Sequence, residues 1–110
     1  MNKIWWFVAA GITGAFWGLT KIAKPMNLSY RDVITYLTQN KPDKPIGLRG
    51  IALREAAVGK DCYKLTLAFI DPENNLIQNE KGTLGIVYRR VHLEQELLDA
   101  FGTEDMIIFE

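Results

Sequence analysis

The sequence predicts an α+β protein in two parts: one N-terminal transmembrane helix, then a small domain with a mainly antiparallel sheet of 4–5 strands and two helices. Three observations carry this. An uncharged apolar run opens the chain. Period-two alternation fills its middle. Apolar residues at helical spacing flank that middle on both sides. The expected division is an anchor over 1–22, a linker over 23–28 and the domain over 29–110.

From Ile4 to Thr20 the chain carries no charge, and Thr13 is the one polar side chain from Ile4 to Leu19. As a helix this run is roughly 25 Å long at ~1.5 Å per residue. A bilayer's hydrocarbon core is ~30 Å, and lysine stems reach past their own Cα positions. Lys3, Lys21 and Lys24 flank the run; Trp5 and Trp6 stand near one end and Trp17 near the other. Indole rings favour the two membrane interfaces, so these six residues are the expected interface set. A cleaved secretory signal fits less well, because Thr20 to Pro25 offers no small-x-small cleavage site. The only cysteine, Cys62, lies too far on for a lipoprotein signal.

Phe7, Gly11, Gly14 and Gly18 fall on one helical stripe. Glycines let a neighbouring helix approach closely, so this stripe is the expected helix-docking face. Lysines near the C-terminal end mildly favour a cytoplasmic domain. Short N-terminal anchors more often leave the domain outside, so the side stays undecided, with the extracytoplasmic one marginally favoured.

Pro25 stops or kinks the first helix. Ser29 and Asp32 read as a capping box for a helix over about Tyr30 to Gln39, with Val33, Ile34 and Leu37 as its apolar stripe. Pro42 and Pro45 make the next stretch a loop. Ile46 and Leu48 alternate, the phase slips at Gly50, and Ile51 with Leu53 resume it, which predicts a β-bulge at Gly50. Val58 to Asp61 reads as a turn. Cys62 to Ile70 is the clearest strand, with Tyr63, Leu65, Leu67 and Phe69 on one face. Asp71 to Asn75 is a turn by composition. Leu76 to Gln78 is a short strand and Thr83 to Val91 a longer one. Leu93, Leu97, Leu98 and Phe101 then recur at helical spacing, with Gly102 where a C-cap belongs. Met106 to Phe109 closes the chain as a strand.

An apolar N-terminal helix before a small sheet is superficially similar to a type IV pilin. That family's charged leader, processing site and early helix glutamate are missing here, and Pro25 interrupts a long helix. The resemblance therefore transfers nothing.

Thirteen Lys and Arg balance thirteen Asp and Glu, which argues against nucleic acid as a partner. The charges are separated along the chain: residues 1–54 hold eight of the basic residues and two Asp, whereas residues 91–110 hold six acids and no base. One cysteine makes neither an internal disulfide nor a multi-thiolate metal site. His92, the only histidine, reads as a helix-entry residue; His92-x-Glu94-x-Glu96 on a helix converges poorly on a metal. Cys62 reads as a half-buried structural thiol, and Arg89-Arg90 as a solvated pair. Gly47-Leu48-Arg49-Gly50 lacks the Lys and Ser/Thr of a phosphate loop.

The expected protein is thus no enzyme and carries no catalytic, cofactor or metal residues. It is a noncatalytic single-pass accessory subunit or assembly factor in the cell membrane, held by a signal-anchor. Its expected partners are the lipid bilayer and other membrane protein subunits, or itself through the span. The alternative is a membrane-anchored sensor or regulatory binding domain.

Overall fold

The computed structural model describes residues 18–22, 26–43, 46–57, 59–80 and 82–109. They form a small α+β domain, mostly sheet, with two helices. In chain order the elements are β1 (Thr20–Ile22), β2 (Met26–Leu28), α1 (Tyr30–Asn40), β3 (Arg49–Ala56), β4 (Tyr63–Ile70), β5 (Gln78–Asn79), β6 (Gly82–Thr83), β7 (Gly85–Leu93), α2 (Gln95–Phe101) and β8 (Met106–Phe109).

The main sheet has six strands in the order β1-β7-β4-β3-β8, with β2 also on β7. β1 pairs with Ile86–Tyr88 and β2 with Val91–Leu93, both parallel. They act as one edge strand broken in two. The remaining pairs of this sheet are antiparallel. The sheet is therefore mixed and wider than the 4–5 strands expected. Thr20–Ile22 and Met26–Leu28, read from sequence as anchor end and linker, are drawn into it by backbone pairing with β7. β5 and β6 form a separate two-stranded ribbon.

Helix α1 begins as its sequence dictates. Asp32 N donates to Ser29 Oγ at 3.0 Å, and Ser29 N donates back to Asp32 Oδ2 at 2.9 Å. Such a cap contributes about 1 kcal/mol. Val33 and Leu37 are buried against the sheet. Gly50 lets the helix approach: a β-carbon there would stand 2.8 Å from Leu37 Cδ1. In α2, Leu97 and Phe101 are buried, and the Gly102 N–H donates to Leu98 O at 3.0 Å to close the helix. Both helices join one core with Leu65, Leu67, Phe69, Val91 and Leu93. The other face of the sheet carries a second cluster of Ile51, Leu53, Ala68, Ile70 and Leu76, with Met106 beside it.

The bulge expected at Gly50 is absent. β3 pairs with β4 in unbroken register from Arg49↔Ile70 to Ala56↔Tyr63. The sequence alternation slips because β3 is buried on both faces, Gly50 and Ala52 on one side and Ile51 and Leu53 on the other. The irregularity lies in β7 instead. Tyr63 pairs with Val91 but Leu65 pairs with Tyr88, so β7 holds one extra residue at Arg89–Arg90. That insertion puts Ile86, Tyr88, Val91 and Leu93 all in the helix-side core and leaves both arginines exposed.

Candidate functional site

Most of the expected membrane residues lie outside the described part of the chain: Lys3, Trp5, Trp6, Phe7, Gly11, Gly14, Trp17 and Lys24. Two are within it. Gly18 is exposed with φ 66°, a left-handed bend and not a turn of right-handed helix. Lys21 is exposed in β1, opposite Val87, and belongs to a strand. Among the described residues, no helix is long and apolar enough to cross a membrane.

The β4–β7 pairing brings together two residues that sequence reading had kept apart. Tyr63 lies opposite Val91, so Cys62 and His92 meet one step further on. Cys62 Sγ lies 3.8 Å from His92 Nε2. The other ring nitrogen, Nδ1, lies 3.1 Å from the Asp61 carbonyl oxygen. A carbonyl can only accept, so Nδ1 carries a proton, and in the neutral ring Nε2 is the nitrogen left to accept from the thiol. Asp61 takes the left-handed conformation at φ 56° in the turn, which Ala57 N closes by donating to Cys62 O at 3.0 Å. Cys62 is half-buried and His92 exposed. His92 sits in β7 and not at the entry of α2, where the sequence reading put it.

A β-carbon on Gly59 would stand 3.1 Å from Cys62 Sγ and 3.9 Å from the Arg90 guanidinium. A bare glycine at this position avoids crowding the sulfur, and the Arg90 guanidinium lies near the same point. Lys60 is exposed in the same turn.

Two other polar groupings are structural in their geometry. Arg49 donates to Asp71 O at 3.2 Å and to Asn74 Oδ1. Asp71 Oδ1 accepts from Glu73 N and Asn75 N, at 2.9 and 2.8 Å. The Asn75 backbone N–H is the main reason the Asp71 carboxyl is held below the usual range. Arg54 donates to Gly102 O at 3.2 Å and stacks over the Phe101 ring at 4.7 Å, which ties β3 to the end of α2. Burial raises the Tyr36 and Tyr88 hydroxyls above their ordinary value, as do a Coulombic contribution from Tyr88 on Tyr36 and one from Asp32 on Tyr88. Among the described residues, no three His, Cys, Asp or Glu side chains gather as a metal site. Comparison with family models, curated proteins and solved structures finds no match to the chain.

Proposed function

We propose that this protein is a noncatalytic single-pass accessory subunit or assembly factor, held at the cell membrane by its N-terminal run and docked on a larger membrane protein complex. The observation that carries the reading is the uncharged stretch from Ile4 to Thr20, flanked by lysines and carrying Trp at both ends. The way this stretch enters the fold supports it. Only Gly18 and Leu19 separate residue 17 from edge strand β1. A domain joined so closely sits against the bilayer surface, with its β1 edge nearest the lipid.

Because Gly18 bends the chain, a spanning helix ends by residue 17. From Ile4 that leaves roughly 21 Å at ~1.5 Å per residue. Lys3 and Lys21 snorkelling, with local thinning of the bilayer, make up the remainder. Phe7, Gly11 and Gly14 form the face that meets a partner's helix. Partners are other membrane subunits or a second copy, and the domain's placement on the extracytoplasmic side is the preferred arrangement.

The test is native purification from membranes in gentle detergent. Co-migration with a larger membrane protein is expected, and a solitary monomer overturns the reading. Gly14→Leu should abolish co-migration while membrane insertion persists.

A further inference from the structure

Cys62 and His92 have no part in the docking reading, yet their geometry has chemical content. We propose that Cys62 is a reactive thiol that takes up small anionic disulfides, with His92 as its proton acceptor and Arg90 as the charge that favours anionic reagents. Three features combine. The Asp61 carbonyl fixes the His92 ring so that Nε2 faces Sγ at 3.8 Å. Gly59 adds no side chain beside the part-exposed sulfur, and the Arg90 guanidinium lies close to the same point. Arg90 and Lys60 are both exposed and outnumber the one exposed carboxylate of the turn, Asp61, so the local charge favours an anionic reagent.

The step is thiol–disulfide exchange. The Cys62 sulfur attacks one sulfur of the reagent as His92 Nε2 takes the thiol proton. A Cys62–S–S–R bond forms and the reagent's S–S bond breaks. The departing thiolate collects the proton from the imidazolium and leaves as a free thiol. Cys62 is oxidised, the leaving sulfur is reduced, and the reagent supplies the electron acceptor. With one cysteine in the chain, no second thiol resolves the product, so the adduct persists until an external thiol reverses the exchange. The exchange places a bulky anionic group at the turn that joins β3 to β4, which makes Cys62 a reversible modification site.

The full chain in detergent can be mixed with two disulfides of opposite charge, the dianion dithiobis(nitrobenzoate) and the dication cystamine. The single cysteine means that any adduct reports Cys62. The folded chain should react with the dianion at least about tenfold faster than the same chain unfolded in urea, a modest share of what a positioned base supplies. His92→Gln should remove most of that gain for both reagents, and added imidazole should restore part of it in His92→Gly. Arg90→Gln should slow the dianion several-fold and leave cystamine unchanged. A folded chain that reacts no faster than the unfolded one overturns the proposal, as does a His92→Gln rate equal to wild type at an unchanged thermal midpoint. Equal effects of Arg90→Gln on both reagents overturn the role of Arg90. None of these outcomes bears on membrane docking, so the two proposals fail separately.

Discussion

Asp71 organises the turn after β4 by accepting from the backbone of Glu73 and Asn75. Those bonds favour the charged carboxylate, and its pKa is lowered from 3.8 chiefly by the Asn75 N–H. The sign of the linkage follows. Stability from this group is present above the ordinary carboxyl value and is lost as pH falls through the lower folded value. Asp71→Asn should therefore lower the thermal midpoint at neutral pH, and the gap from wild type should close in acid below that range. A gap that is the same at every pH means the charge is irrelevant. Composition alone marked Asp71 to Asn75 as a turn. The guanidinium of Arg49 that braces it comes from 22 positions earlier, on the neighbouring strand, and no local pattern announces it. Cys62 and His92 are the same case: each looked unremarkable in its own segment, and only the β4–β7 register joins them.

At the level of elements, Gly85 is the narrowest point of the sheet. A β-carbon there would stand 2.2 Å from Leu67 O, a backbone atom in the middle of β4. Backbone inside a sheet cannot step aside cheaply, so Gly85→Ala should cost about 2–4 kcal/mol in urea denaturation. Gly50→Ala meets the buried Leu37 side chain, from Cδ1 at 2.8 Å to Cγ at 3.1 Å, which can shift where backbone cannot, and should cost less than Gly85→Ala. Equal stability of Gly85→Ala and wild type would refute the steric account. Elements with strong local signals were legible: α1 from its capping box and apolar stripe, β4 from its alternation, β8 from its short apolar run. β1 and β2 were not. Thr20-Lys21-Ile22 and Met26-Asn27-Leu28 are three residues each, too short to show a period, and they exist because β7 offers an open edge. The bulge was sought at Gly50 because a strand buried on both faces mimics a phase slip, while the real insertion at Arg89–Arg90 passed as an ordinary polar pair.

For the whole molecule, the decisive question is where the N-terminal run resides, and the chain carries its own reporter. All three tryptophans, Trp5, Trp6 and Trp17, fall in that run, and none falls between residues 18 and 110. Indole emission therefore reads the run alone, while the tyrosines and the backbone signal read the domain. In vesicles the emission should shift to the blue relative to the chain unfolded in urea, because the rings leave water. Indoles at both ends of a span lie near the headgroups. Lipids brominated close to the headgroup should then quench strongly, and lipids brominated near the chain ends should quench weakly. A re-entrant or shallow segment would quench from the headgroup side of one leaflet only, which bromolipid confined to the opposite leaflet distinguishes. Emission that ignores both lipids in the presence of vesicles would mean the run is buried in protein, and the docking proposal would fall with it. Because the domain contributes no indole, unfolding its sheet in moderate urea should leave the bilayer signal intact, which separates anchoring from folding in a single titration.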